Sequence, residues 1–447
     1  MTYQPPKRLL EVLQKMAFEE ALGPDDPRYV DTAEARGSEQ ILTRLARKFR
    51  LSLKDGTFYP AESHHVLFFG HTGSGKSTEL RHYAKRLSGP NQFLTIEVDV
   101  ASRLDRNNVQ YADLLMAVAE ALLARLQEEQ IDPGVSVLNP LRQWFDERVL
   151  TSEQAKDFKL EVETGAKAGI SLAGLLGLFS KFTAAFKANV TYKDALRHVI
   201  RNTFTQFADA FNEVLSGVEA DLVRRGRAKR VLFIVESTDK LRSDDTRNLF
   251  LYDAEQLLAI HANAIFTAPL SLKYESNIGG GKLDDIVLPM IKLYDRDGTP
   301  CEAGRTAMRE IPLRRADHTL FASDAEIETL IQFSGGHPRE LLRLLKLACE
   351  FSESDVVDAK VVEQAATQLA SEYRRFLEPE DYSLLAALDA NAIHAGNNDR
   401  TRKLLYNLAL MEYNDGAWRR SHPVVRRLEG YKQAQLSAAT PLKGASN

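Results

Sequence analysis

Apolar and polar positions follow two different periods along this chain, and the change of period divides it. Residues 66–69 (VLFF) and 231–235 (VLFIV) are short apolar runs, the pattern of buried strands, and 93–100 (FLTIEVDV) and 264–268 (AIFTA) are further expected strands. Helical spacing fills the intervals: residues 39–50, with Ile41, Leu42, Leu45 and Phe49 on one face, then 77–87, 111–129, 194–223 and 245–258. Gly89-Pro90 and Asp132-Pro133-Gly134 are stop signals for two of these helices. Residues 309–313 are the expected fifth strand. Strands alternating with helices predict an α/β fold, a parallel sheet with helices on both faces.

From residue 324 to 376 the pattern turns wholly helical, with Ser334-Gly335-Gly336-His337-Pro338 as a break between two helices. Pro379 opens a last region with helices expected at about 380–390 and 400–412, followed by Asn414-Asp415-Gly416 between two strand-like runs. Asp-Gly in that setting signals a hairpin, and two helices followed by a hairpin suggest a winged helix. The expected division is therefore a helical segment 1–60 leading into a core of 61–320, a helical lid 321–376, a winged helix 377–432 and a disordered tail 433–447.

Residues 135–195 break the strand–helix rhythm and read as an insertion in the core. They hold the uncharged run AGISLAGLLGLF (168–179), bracketed by Lys167 and Lys181. About 20 apolar residues are needed to cross a bilayer, so the run does not span one. It is expected to be a buried helix or a cover over another surface, with a partner-binding insertion as the alternative.

Bulk properties narrow the picture only a little. The chain has 447 residues, 44% hydrophobic and 27% charged, with a net charge of −4, which gives no general reason to expect nucleic-acid binding. Its two cysteines, Cys301 and Cys349, have no partner in metal-ligand spacing, so neither a disulfide framework nor a zinc site is expected and the natural compartment is a reducing cytoplasm.

The candidate chemistry begins at residues 70–77, Gly-His-Thr-Gly-Ser-Gly-Lys-Ser, which join an apolar strand to a helix. Gly70, Gly73 and Gly75 let the backbone turn tightly and aim N–H groups at dense negative charge, and the helix that follows adds the positive end of its dipole. His71, Thr72, Ser74 and Thr78 complete the loop. Lys76 is suited to the β- and γ-phosphates and the Ser77 hydroxyl to Mg²⁺, so ATP/ADP with Mg²⁺ is the expected cofactor.

Such a site needs a carboxylate at the end of a neighbouring strand to steady the metal. The run 231–235 ends in Glu236-Ser237-Thr238-Asp239. Glu236 is expected to hold Mg²⁺ with Ser77, and Asp239 to position or deprotonate the attacking water; a shifted register, with Glu236 as the base, stays open.

With these motifs in place the chain resembles AAA+-type ATPases, in particular STAND signal-transducing ATPases and origin-recognition-like initiators. The resemblance covers about residues 30–430. It implies that Arg36, in Arg36-Gly37-Ser38-Glu39, lies near the adenine; that Thr267, ending AIFTA, senses the γ-phosphate; and that Pro338 and Arg339 contact the nucleotide from the lid. It further implies an ATPase, slowed because Ser237 stands where many relatives carry a catalytic Glu. No sensor repeats follow, a departure from many STAND proteins. Arg314 and Arg315, after the expected fifth strand, are candidates for an arginine finger reaching a neighbouring subunit, with Arg315 the catalytic choice; a surface ion pair with Asp317 is the alternative.

Residues 400–432 carry eight Lys/Arg against Glu412, Asp415 and Glu429, whereas Glu378, Glu380, Asp381, Asp389 and Asp399 precede them with no Lys or Arg between. The resemblance implies a winged helix docked on its own ATPase core. The expected function is an ATP-dependent switch in bacterial signalling or phage defence, homo-oligomeric or acting on a separate effector. The alternative is a DNA-binding initiator or loader, its contacts on Arg419, Arg420, Arg426 and Arg427 and Trp418 at the wing tip.

Overall fold

The computed structural model describes residues 3–59, 63–152, 158, 171–188, 192–275, 278–391 and 396–439. Five strands form one sheet: β1 (His65–Gly70), β2 (Phe93–Asp99), β3 (Arg230–Glu236), β4 (Asn263–Pro269) and β5 (Asp284–Val287), in the spatial order β2-β3-β4-β1-β5. Every pairing is parallel.

The period of two that makes a strand also splits the core. Val66 and Phe68 face one side of the sheet with Leu232, Ile234 and Ile265, where the helices Ile41–Lys48 and Lys76–Leu87 cover them. Leu67 and Phe69 face the other side with Val231, Phe233 and Val235, under the helices Tyr111–Glu128 and Phe204–Arg224.

The fifth strand is β5, and residues 309–313 are helical. They belong to the helix Glu302–Leu313, whose buried Gly304, Ala307, Met308 and Ile311 recur at helical spacing. Strand β5 escaped the pattern because it is short, begins Asp284-Asp285 and lies at the sheet edge, where Lys48 Nζ meets Asp284 at 2.5 Å.

The expected helix 194–223 is two helices, Lys193–Asn202 and Phe204–Arg224. They break at Thr203, whose hydroxyl donates to the Val199 carbonyl at 2.9 Å and accepts from the Trp144 indole at 3.3 Å. The stretch 245–258 is likewise divided, by a wide turn at Asn248–Tyr252.

The described part of the 135–195 insertion is an integral layer. Leu138, Trp144, Phe145, Leu175, Phe179 and Phe182 share one hydrophobic cluster with β1, β2 and β3. The apolar run is helix from Leu172 onward, with Leu172, Leu175, Leu178 and Phe179 buried; its residues 168–170 lie outside the described residues. No helix of the described residues is long and apolar enough to cross a membrane.

A second cluster unites the helices Glu302–Leu313, Asp324–Ser334, Pro338–Phe351 and Ala359–Arg374. It includes Ile291 and Leu293, so the helical part begins before residue 321. Leu9, Val12 and Met16 also pack there, which ties the first helix, Leu9–Lys15, to the lid side rather than simply to the core.

At the C-terminal end the helices Pro379–Ala390 and Asp399–Tyr406 precede a hairpin of β6 (Leu410–Tyr413) and β7 (Trp418–Ser421). The helix expected over 400–412 stops at Tyr406, and Leu408 turns the chain at φ 60° into β6. Asn414, Asp415 and Gly416 all take positive φ, as the Asp-Gly signal predicted. The helix Glu429–Ala439 runs six residues past Gln433, where a disordered tail was expected; residues 440–447 lie outside the described residues.

Candidate functional site

Strand β1 ends at Gly70 in the interior of the sheet, and the next five residues turn at its carboxyl rim before the helix begins at Lys76. Gly73 has φ 90° and Gly75 φ 104°. A Cβ on Gly73 would lie 2.8 Å from Arg339 Nε and 2.9 Å from His337 Cε1, so both backbone conformation and close approach demand glycine there.

Lys76 and Asp239 come together in a buried pair, with Lys76 Nζ 2.7 Å from Asp239 Oδ2. The same ammonium donates to the Gly70 carbonyl at 2.8 Å and the His71 carbonyl at 3.0 Å. Burial disfavours both charges and draws Lys76 below its ordinary value. Burial is the largest influence and would raise Asp239, but the Lys76 charge and its hydrogen bond, with Lys240 and Thr267, together hold that carboxyl below the usual range.

Asp239 gets there because the backbone bends sharply after β3. Ser237 takes φ 67°, a strained conformation for a residue with a Cβ, and a short turn, Thr238–Lys240, follows. Thr238, missed by sequence reasoning, donates its hydroxyl to the Thr267 carbonyl and lies 3.2 Å from the Thr267 hydroxyl. Thr267, on β4 between β1 and β3, also bonds Asp239.

Glu236 is buried at the end of β3, its Oε1 without a hydrogen-bond partner among the described residues and 3.7 Å from Arg81 Nε. Burial pushes it up to about 7, against the pull of Arg81 and the Ser77 hydroxyl. An orphaned carboxylate oxygen beside a serine hydroxyl is a donor set that fits Mg²⁺. Arg81 was absent from the sequence reading; it stands five residues after Lys76 on the same helix and also approaches Glu97 at 3.5 Å.

Arg36 is wholly buried against the loop. Its guanidinium donates to the Ser74 carbonyl at 2.7 Å, the Pro289 carbonyl at 2.6 Å and the Thr32 hydroxyl at 2.8 Å. Thr32 in turn donates to Glu79 at 3.0 Å. A cleft beside these groups is lined by Tyr29, Val30, Ile311, Pro338, Arg339 and Leu342, and an adjoining one by Lys76, Ser77, Thr78 and Asp239. Thr78 also accepts the Leu22 N–H at 3.1 Å, which ties the N-terminal segment across the loop.

The helix Pro338–Phe351 approaches from the lid. The Glu340 N–H donates to His337 Nδ1 at 3.1 Å, so the neutral ring carries its proton on Nε2 and donates to the Thr72 carbonyl at 3.2 Å. Burial, then Arg339, hold His337 well below its ordinary value. Arg339 Nε lies against Gly73 with no hydrogen-bond partner among the described residues.

No family model matches this chain, and no curated protein does. Its likeness is to solved structures. The Walker-type ATPase of Pyrococcus abyssi is 13% identical, with a TM-score of 0.40 over 92% of this chain and 99% of that one. The Aeropyrum pernix ORC1 protein, solved in complex with DNA, is 15% identical, with a TM-score of 0.35 over 90% and 83%. A RuvB of Thermotoga maritima is 13% identical, with a TM-score of 0.36 over 93% and 99%. What makes this sheet a phosphate-loop fold is its own geometry: a glycine turn from a central strand into a helix, with an acid-ended strand one place removed.

The phosphate loop is gripped from a third direction. His71 Nε2 accepts the Glu412 N–H of β6 at 2.9 Å, and the Tyr413 hydroxyl donates to the Gly335 carbonyl at 2.7 Å. Met411, Tyr413 and Trp418 are buried with Met290 and Leu408. Trp418, expected at an exposed tip, stacks on Tyr413 at 4.0 Å instead.

Of the two arginines expected to reach outward, Arg315 turns inward and Arg314 stays partly exposed. Arg315 follows a helix, not a strand; it donates to the Ile311 carbonyl at 2.9 Å and the Arg28 carbonyl at 3.3 Å, and faces the cleft beside Arg36. Burial and Arg28 lower it to about 10. Arg314 donates to the Tyr29 carbonyl at 2.5 Å. In the hairpin region Arg419 meets Glu412 at 2.7 Å, Arg426 meets Asp389 at 3.1 Å, Arg427 pairs with Glu363, and Arg420 donates to the Arg296 carbonyl at 3.1 Å.

Proposed function

We propose that this chain is an ATP-dependent conformational switch that takes ATP and ADP, with Mg²⁺, between its α/β core and its helical lid. One observation carries the reading: a single glycine turn is touched by the lid through His337 and Arg339 and by the C-terminal hairpin through His71. A group bound in that turn would bear on both, and differential contacts to ATP and ADP would bias how the hairpin docks.

In this reading the backbone of residues 73–77 and the Lys76 ammonium hold the phosphates, and Ser77 and Glu236 hold the metal, which neutralises phosphate charge when bound. Tyr29, Val30, Ile311 and Leu342 line the apolar cleft suited to the base, with Arg36 bracing the loop below it. Arg339, with an unpartnered Nε over Gly73, reads the phosphate from the lid. Asp239 stays ionised against Lys76 and orients water once Lys76 turns to phosphate. In a shifted register, with Glu236 released from the metal, its near-neutral carboxyl would be the base instead. Hydrolysis is slow, and it resets the switch.

The last helices and hairpin act as a winged helix docked on its own core. Undocking would bare Met411, Tyr413 and Trp418 to an effector or a second copy. Internal pairing of Arg419, Arg426 and Arg427 supports this reading over DNA loading through the same face. Calorimetry with Mg-ATP and Mg-ADP, combined with hydrogen exchange across residues 407–421, tests it. Nucleotide-dependent protection of the hairpin is expected; no affinity, or affinity without a change in protection, overturns the switch.

A further inference from the structure

The cations of the C-terminal hairpin are engaged by the chain itself, but another set is not. On the helix Ile41–Lys48 the apolar face, Ile41, Leu42, Leu45 and Ala46, is buried, which turns Arg44 and Arg47 outward one turn apart. The chain then doubles back in a small hairpin. Leu51 bridges Phe58, Tyr59 N–H donates to the Arg50 carbonyl at 3.1 Å, and Ser52 N–H donates to the Thr57 carbonyl at 2.9 Å.

This hairpin is firmly seated. Leu51 is buried, and Phe58 meets Phe93 edge-on at 5.0 Å, at the start of β2. The site therefore lies at the amino ends of the strands, away from the phosphate loop at their carboxyl ends. Arg50 is held at φ 57°, an uncommon conformation for a residue with a side chain, and it fixes the direction in which the hairpin leaves the helix.

Between helix and hairpin runs a groove of about 650 Å³ lined by Thr43, Arg47, Arg50, Ser52, Lys54 and Tyr59 together with apolar stems, and no acidic side chain lines it among the described residues. Arg44, Arg47, Arg50 and Lys54 are exposed and meet no carboxylate of the described residues, whereas Lys48 beside them is spent on Asp284. Asp55, the nearest acid in sequence, is turned to the Thr57 N–H at 3.0 Å. Tyr59 stands 61% exposed at the edge.

Unneutralised cations along a groove with an exposed aromatic at its edge are the two parts of a single-strand nucleic-acid site: one tracks phosphates, the other offers a face to a base. A free phosphate would need the cations to converge on one point, and a membrane surface would need exposed apolar groups beside them. We propose that this groove binds single-stranded nucleic acid, its backbone along Arg47, Arg50 and Lys54, with Arg44 beside the groove one turn from Arg47, and a base stacked on Tyr59. The proposal is independent of the nucleotide switch.

The test is fluorescence anisotropy of the full chain with labelled oligothymidylate across a salt series. Saturable binding is expected, with a log–log salt slope of about −2 to −3, for three to four phosphate contacts. Arg47→Glu with Arg50→Glu should weaken binding by about tenfold or more and flatten the slope by roughly 1.4. Tyr59→Ala should weaken it by roughly 5- to 100-fold and leave the slope unchanged. All these side chains are exposed, so melting and Mg-ATP titration of the variants should match the wild type, which separates this site from the phosphate loop. Absence of salt-dependent binding, or wild-type binding by the double-glutamate variant, overturns the proposal. Equal affinity for a duplex with no effect of Tyr59→Ala overturns it as well. Tighter binding of polyglutamate than of the oligonucleotide would make the groove a seat for an acidic protein segment and overturn the nucleic-acid assignment.

Discussion

His71, inside the phosphate loop, accepts a hydrogen bond from the backbone N–H of Glu412 at 2.9 Å, although 341 residues separate them in the chain. The loop and the hairpin thus share one bond at the centre of the molecule. Removing the acceptor would leave a buried N–H unpaired, at a cost of about 1–3 kcal/mol. In His71→Ala the Glu412 amide should exchange roughly 5- to 150-fold faster, as read by hydrogen exchange. Unchanged protection would show that the hairpin is held elsewhere.

Acid should loosen the same junction. Burial first, and neighbouring cations after it, hold His71 and His422 down to about 3 each, with His337 also far below its ordinary value. An imidazole kept neutral in the fold takes up a proton on release, so its share of stability is full above its ordinary value of 6.5 and is lost as pH falls toward about 3. Melting temperatures should fall through that window. Replacement of His71 by Gln should make the fall shallower.

The Lys76–Asp239 pair makes the usual loop-lysine variant ambiguous, because Lys76→Ala strands a buried carboxylate. Loss of one partner of a buried ion pair costs on the order of 3–5 kcal/mol, so Lys76→Ala should melt lower as well as lose triphosphate affinity. Lys76→Met combined with Asp239→Leu should recover most of the melting temperature and none of the affinity, measured by calorimetry. Recovery of both would remove Lys76 from phosphate binding.

Glu236 titrates in the opposite sense to the histidines. Its carboxyl is raised by burial to about 7 from an ordinary 4.5, so its contribution to the ligand-free fold is full below 4.5 and is lost as pH rises through about 7. Metal binding needs the carboxylate. Mg-ATP affinity should therefore increase over roughly one unit either side of that value, while ligand-free stability declines. Both trends should flatten in Glu236→Gln; a Gln variant with the wild-type pH profile would exclude Glu236 as the titrating group.

Some of these features were legible in the order of residues and others were not, for physical reasons. The phosphate loop could be read because glycine is needed wherever φ turns positive beside a close neighbour, and Gly73 meets both conditions. Strands β1, β3 and β4 could be read because burial on both faces demands continuous apolar runs, and β2, at the sheet edge, because Phe93, Ile96 and Val98 are buried while Thr95, Glu97 and Asp99 reach toward solvent. Strand β5 could not, since an edge strand beginning with two aspartates has no such signature. Arg314 and Arg315 read in the sequence as an arginine finger or as partners of Asp317, yet backbone carbonyls of Arg28 and Tyr29 accept from them.

What the sequence by itself determined is local: which segments turn, which run straight, and that one turn is built for a dense anion. Periodicity and glycine act over a few residues, so a few residues suffice to read them. Which groups meet at that turn was decided only by the packing of distant helices. The encounter of Lys76 with Asp239, of Thr72 with His337 and of His71 with Glu412 depends on side chains brought together after the sheet, the lid and the hairpin close on one another. No short-range pattern encodes a contact whose partners are hundreds of residues apart.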